Sequence, residues 1–100
     1  MRIEKEQYVE WRKRWSEIHD AVTVDNDDWV AAATSFLHQI EDARGDTYLT
    51  GLAKAARQRA LEFKKPKRNV LRSSAFQDFL NAWGRVDGAI GMHLMDRPPS

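Results

Sequence analysis

The segment EKEQYVEWRKRWSEIHDAV, residues 4–22, decides the fold class. Its apolar side chains recur at alternating spacings of three and four residues, which places them on one face of an α-helix. They are Tyr8, Trp11, Trp15, Ile18 and Val22. The opposite face mixes acidic and basic residues, and Glu10 lies four residues before Arg14, a spacing that weakly supports a helix. We therefore predict a first amphipathic helix from about Glu4 to Ala21.

The same spacing recurs in two segments further along the chain. A second helix is predicted over about residues 28–43, and the pair at 44–45 ends it, because its glycine can adopt the left-handed backbone that closes many helices. Asp46 or Thr47 caps a third helix. That helix stops at Pro66, since proline disfavours helical geometry in the residue before it.

The last segment has two interpretations beyond Gly84. Ser74, followed three residues later by Gln77, fits a capping box and starts a fourth helix at Ser73–Ser74. Glycines then recur at helical spacing, which indicates close helix packing or a break, and we favour a helix kinked at Gly84. They are Gly84, Gly88 and Gly91. Alternating apolar residues over 90–94 leave a short strand as the alternative.

Length and composition fit one small all-α domain. The chain has 100 residues, of which 42% are apolar and 31% charged, values that suit a folded domain rather than a disordered chain. We predict a bundle of three to four amphipathic helices over residues 1–96 and an irregular tail over 97–100. The predicted core consists of Trp11, Trp15, Ile18, Trp29, Phe36, Ile40, Leu52, Phe63, Phe76, Leu80 and Trp83.

Several classes of protein are excluded by what the sequence lacks. The absence of cysteine removes disulfide scaffolds, thiolate zinc sites and cysteine nucleophiles. The longest apolar run, residues 30–33, is far too short to span a membrane, and the first residues lack the apolar core of a secretory signal. We therefore expect a cytoplasmic protein that does not act at a membrane.

Residues suited to catalysis are few. None of the three histidines has the spacing of a metal-binding pair, and His38 with Glu41 forms a single pair where carboxylate-bridged metal sites use several. The serines at 73–74 are interpreted as helix caps, because no glycine-flanked elbow surrounds them as it would a nucleophile. The sequence predicts neither enzymatic activity nor a cofactor nor a metal.

Charged residues are distributed very unevenly along the chain, although its net charge is only +1. Residues 25–46 hold six acidic and one basic side chain, whereas residues 47–72 hold eight basic and one acidic side chain. We interpret Asp25, Asp27 and Asp28 mainly as caps of the second helix. The alternative is an acidic surface that imitates nucleic acid or docks on a basic partner, and Glu41, Asp42 and Asp46 would extend it.

The basic segment supplies the candidate partner-binding residues. They are Lys54, Arg57, Lys64, Lys65, Lys67, Arg68 and Arg72, to which we add Trp83 as a candidate aromatic anchor. Three explanations of the cations stay open: charge balance against the acidic segment, an acidic protein partner, or nucleic acid. Leu61 projects among them, which is unusual for a purely solvated face.

These observations favour a binding protein over an enzyme. We predict a small non-catalytic regulator or inhibitor, of the accessory type found in bacteria and phage, that docks on a larger protein through charged surface and aromatic anchors. The alternative is direct nucleic-acid binding through residues 54–72. The identity of the partner and the oligomeric state do not follow from the sequence.

Overall fold

The computed structural model describes residues 3–43, 45–66 and 68–94, which form four α-helices joined by short connections. The helices are α1 (Lys5–His19), α2 (Val30–Ala43), α3 (Thr47–Lys64) and α4 (Arg72–Leu94). The predicted all-α class is confirmed. The alternative strand over residues 90–94 is wrong, because this segment continues α4. The tail predicted over 97–100 lies outside the described residues.

Consecutive helices run in opposite directions and enclose a four-helix bundle. Each helix packs on two neighbours, α1 on α2 and α4, and α3 on α2 and α4. Such an up-down-up-down arrangement needs only short loops. We call one end of the bundle the His93 end, where α1 and α3 start and α2 and α4 finish. The opposite end, where α3 connects to α4, is called the Leu71 end.

Aromatic rings run through the centre of the bundle. Trp29 packs on Phe79 with 4.7 Å between ring centroids, and Phe79 stacks on Trp83 at 5.4 Å. The Trp83 ring meets the edge of Phe36 at 5.9 Å. Aromatic pairs of this kind stabilise by about 0.5–1.5 kcal/mol beyond their buried area. Of the eleven predicted core residues seven are buried, while four are only half-buried: Trp15, Leu52, Phe76 and Leu80.

Alanines let α3 approach its neighbours closely. Ala53, Ala56 and Ala60 are completely buried on the same face as Leu49 and Phe63. The N-terminus of α3 is capped by Asp46, as predicted, and its Oδ1 accepts the Leu49 N–H at 3.0 Å. The small side chains along the middle of α3 let it approach α2 and α4 closely. The Asp46 cap fixes where the helix begins.

The predicted start of α4 at a Ser74–Gln77 capping box is wrong. The helix already begins at Arg72, and the Ala75 N–H donates to the Leu71 carbonyl at 3.0 Å. The Gln77 amide donates instead to Asn81, one turn further along. Residues 74–77 therefore match the sequence pattern of a capping box, but the hydrogen bonds of the box do not form.

The glycines of α4 do not mediate close helix packing, and the helix is not broken at Gly84. Gly84 and Gly88 are exposed, and a Cβ built on either would meet no atom within 4 Å. At Gly91, which is buried, the nearest atom is Arg12 Nη1 at 3.8 Å, an ordinary contact. The prediction of glycine-mediated packing is thus wrong, because the first two glycines face away from the other helices. None of the helices in the described part of the chain is long and apolar enough to cross a membrane.

Candidate functional site

The connection between α3 and α4 forms the most exposed apolar surface of the Leu71 end. Leu71 is 70% exposed and Val70 42%, and Leu61 on the last turns of α3 is 47% exposed. Asn69 has a φ of 70°, the left-handed region that asparagine tolerates better than most residues, so the chain turns there. We define the connection surface as Leu61, Lys64, Lys65, Arg68, Val70 and Leu71.

Arg72 ties the connection to the rest of the bundle while its side chain stays exposed. Its Nε donates to the Val24 carbonyl at 2.9 Å, which ties the start of α4 to the α1–α2 connection. Its guanidinium lies 4.7 Å from the centroid of the buried Phe63 ring, in a cation–π contact. One of the predicted partner-binding cations is therefore a structural anchor.

Arg57 is engaged within the bundle. Its Nε and Nη2 donate to the two carboxylate oxygens of Glu41 at 2.5 and 3.0 Å, which joins α3 to α2. The side chain of Glu41 is largely buried, and its hydrogen bond raises the pKa of Arg57 against the opposing effect of burial. A two-pronged pair of this geometry is stronger than a simple surface contact. Of the three explanations for the basic segment, charge balance against the acidic segment therefore accounts for Arg57.

Five of the six predicted cations in the described chain are exposed, including Arg72, and three of the five lie close together in sequence. Lys64 ends α3, and Lys65 and Arg68 lie in the connection near the exposed Val70 and Leu71 in sequence. The three cations form no ion pair with other described residues. Lys54 lies ten residues before Lys64 on α3, about 15 Å away along the helix, so it belongs to a different surface. Lys67 lies outside the described residues.

Trp83 is part of the core, and its prediction as an interface anchor is wrong. Its side chain is 1% exposed, because it lies on the same face of α4 as Phe79 and Ile90. The Trp83 indole N–H donates to His19 Nδ1 at 3.2 Å, and its carbonyl accepts from the Trp15 indole at 3.1 Å. Both contacts join α4 to α1.

The acidic loop, residues 25–28, lies beside the connection surface. The Trp29 indole N–H binds the carbonyls of Thr23 and Asn26 at 2.8 and 3.0 Å, and its ring stacks on Phe63 at the end of α3. Two backbone N–H groups of this loop donate hydrogen bonds to side chains: Asp25 N–H to the Thr23 hydroxyl and Asp28 N–H to the Asn26 side-chain oxygen. The predicted capping by Asp25, Asp27 and Asp28 is therefore not seen among the described residues.

A polar cluster that the sequence did not reveal closes the His93 end. His93 Nε2 lies 2.7 Å from Asp46 Oδ2, and the Tyr8 hydroxyl donates to the same oxygen at 3.3 Å. The rings of Tyr8 and His93 stack with centroids 4.2 Å apart. These residues are far apart in sequence, so only the antiparallel packing of α1, α3 and α4 brings them together.

Burial and hydrogen bonding shift two pKa values in this cluster. Burial raises the pKa of Asp46, but hydrogen bonds from Leu49, His93 and Tyr8 outweigh it, so the pKa lies below its ordinary value. Burial, with the adjacent Asp46 charge, raises the pKa of Tyr8. The carboxylate is thus held ionised by its neighbours, which is the role of a cap and crosslink.

An open cavity of about 750 Å³ adjoins this cluster. Its lining mixes both charge signs with apolar groups: Ile3, Glu4, Lys5, Tyr8, Gly45, Asp46, Thr47 and His93. Tyr8, Asp46 and His93 already contact one another within this lining.

His38 and Glu41, the histidine–carboxylate pair considered as a metal site, form no hydrogen bond or ion pair with each other. His38 Nε2 lies 3.5 Å from Asp42 Oδ2 on the outside of α2, while Glu41 is occupied by Arg57. Among the described residues there is no group of three or more histidine, aspartate or glutamate side chains able to hold a metal ion.

No protein-family model, no curated protein and no solved structure matches this chain.

Proposed function

We propose that this protein is a non-catalytic binding module that docks through its connection surface on an acidic face of a larger protein, acting as a regulator or inhibitor. The observation that carries the proposal is Leu71, which is 70% exposed beside three cations that have no ion-pair partner in the described chain. The expected partner face presents carboxylates around an apolar pocket. A cytoplasmic location stays a prediction from the sequence.

The energetics of the surface support a protein partner. Full burial of one leucine side chain provides about 1.5–3 kcal/mol, and flanking charges speed association and select partners of opposite sign. Arg72 already holds the connection against Val24 and Phe63, so binding requires less ordering of the chain. A preformed apolar centre with a charged rim is the usual anatomy of a docking site.

Nucleic-acid binding through residues 54–72 remains the alternative, with weaker support. Arg57 and Arg72 are engaged within the bundle, and Lys54 is remote from the connection surface. Single-stranded nucleic acid is bound by stacking bases on aromatic rings, but the exposed Tyr48 lies at the His93 end. Exposed Val70 and Leu71 have no role against phosphates.

The test compares two leucine-sized side chains of equal exposure at opposite ends of the bundle. Leu71→Asp should abolish capture of the partner from a nuclease-treated lysate, whereas Met92→Asp, also at a 70% exposed position, should leave capture unchanged. Lys64→Glu with Lys65→Glu and Arg68→Glu should abolish it too, and Lys54→Glu should not. Capture that survives both changes in the connection surface, or that nuclease removes, would contradict the proposal.

A further inference from the structure

The Leu71 end presents two oppositely charged surfaces side by side. The acidic loop is held next to the connection surface by the hydrogen bond from Arg72 to the Val24 carbonyl and by the stacking of Trp29 on Phe63. Both contacts join the α1–α2 connection to helix residues that flank the α3–α4 connection, so the relative position of the two surfaces is fixed by the fold.

The charges of these two surfaces do not neutralise each other by direct contact. Asp25 and Asp28 are exposed on one side and Lys65 and Arg68 on the other, and no ion pair joins the two groups among the described residues. Exposed apolar side chains accompany them, Val24 beside the acidic loop and Leu71 beside the cations. The end thus carries an acidic region that includes Val24 and a basic region that includes Leu71, and the Arg72 hydrogen bond to Val24 joins them.

We infer that a second copy of this chain binds at the Leu71 end in a two-fold arrangement. Rotation by 180° places the acidic loop of one copy on the cations of the other and repeats the same contact in reverse, with apolar residues meeting near the axis. An isologous interface requires such self-complementarity. The inference rests on the proposed function in one respect, since both assign binding to the connection surface.

The size of the end determines how strong this association is. The bundle is 23 by 22 Å in cross-section, which gives about 400 Å² for each copy and about 800 Å² in total. Stable interfaces bury more than about 1,200 Å², so the dimer is weak and depends on protein concentration and on salt.

Self-association covers the connection surface and thereby regulates docking. Leu71 and its flanking cations cannot contact a second copy and a larger partner at once, so the two compete. A weak dimer gives way to a tighter partner, and at high concentration it protects an exposed leucine from nonspecific contacts.

A charge-exchange experiment tests the two-fold geometry. In sedimentation velocity runs from about 10 µM to about 1 mM, the wild-type chain should shift from monomer toward dimer, as a small interface requires. Asp25→Lys with Asp28→Lys should keep the chain monomeric, as should Lys65→Glu with Arg68→Glu. An equimolar mixture of these two variants should form dimers again, because each copy then meets opposite charge at both contacts. Circular dichroism confirms that each variant is folded.

Two outcomes overturn the inference: a wild-type chain that stays monomeric at about 1 mM, the concentration at which a Kd of about 1 mM would already produce dimer, or a variant mixture that stays monomeric. A single chain carrying all four changes should also dimerise, which guards against a defect of either variant alone. Partner capture is measured separately with the Asp25→Lys, Asp28→Lys variant. Partner capture should survive in this variant if the proposed function holds. Loss of dimerisation with capture retained therefore contradicts only the dimer, whereas loss of capture contradicts the proposed function.

Discussion

The two ends of the bundle treat their polar groups in opposite ways, although each exposes large apolar side chains. At the His93 end the Tyr8 hydroxyl, the Asp46 carboxylate and the His93 ring satisfy one another beside an open cavity. At the Leu71 end Lys65 and Arg68 have no ion-pair partner among the described residues, and Leu71 is mostly in solvent. An end whose polar side chains satisfy one another contributes stability, whereas an end that leaves its cations without partners keeps them available for binding.

The largest expected effect comes from the core that supports both ends. Phe36→Ala should lower the free energy of unfolding by about 3–5 kcal/mol, because the ring is 1% exposed and packs on Trp83. Trp15→Ala should cost less, since Trp15 is only half-buried. Urea denaturation followed by circular dichroism measures both. A loss below about 1 kcal/mol for Phe36→Ala would contradict the described core.

The comparison of the ends is tested by one substitution at each. Asp46→Ala should cost about 2 kcal/mol, because it removes the cap of α3 and leaves Tyr8 and His93 without their shared acceptor. Leu71→Ala should change stability by less than about 0.5 kcal/mol, as exposed positions do. Equal effects in urea denaturation would remove the distinction between a structural end and a binding end.

Acid should weaken the His93 end selectively. The pKa of Asp46 is lower in the folded protein than in the unfolded chain, so the folded state binds fewer protons and the stabilisation is present above about pH 4. It is lost as the pH falls through the folded-state value. Urea midpoints measured between about pH 6 and pH 3 should fall more in the wild type than in Asp46→Asn. Parallel curves would show that this carboxylate is not coupled to folding.

The smallest expected effect is an increase in stability from a substitution in the middle of α4, between the two ends. Gly84→Ala should raise stability by about 1 kcal/mol, because the site is an exposed helix interior with open space around the added Cβ. The reverse change at an exposed site of α3, Ala55→Gly, should lower stability by a similar amount. Thermal unfolding measures both changes. A destabilising Gly84→Ala would mean that α4 is interrupted there.

Helical periodicity predicted the fold because the apolar seams are long and repeated. Residues 8–22 and 49–63 supply buried faces at the expected spacing, and Asp46 and Pro66 mark boundaries through their own local chemistry. The start of α4 was predicted wrongly, because its first residue, Arg72, is held by the carbonyl of Val24, 48 residues away. No local pattern contains that contact.

The candidate site was predictable in composition but not in pairing. A run of cations at 64–68 is visible in the sequence, yet only the fold tells which cations already have partners. Arg57 meets a glutamate from α2, and the ring of Trp83 is covered by α1 and α2. The cluster around His93 gave no signal at all, because its three members belong to three separate segments.

The seam between α1 and α4 joins the segments that are farthest apart in sequence, which bears on the order of folding. Its hydrogen bonds join Trp15 and His19 to Trp83, across 68 and 64 residues, whereas α2, α3 and α4 pack on neighbours in sequence. Closing the longer loop costs more conformational entropy, so we expect the α1–α4 seam to form after α2, α3 and α4 have packed on one another. The stacked pair of Trp15 and Trp83 is then a natural fluorescent reporter of the final folding step.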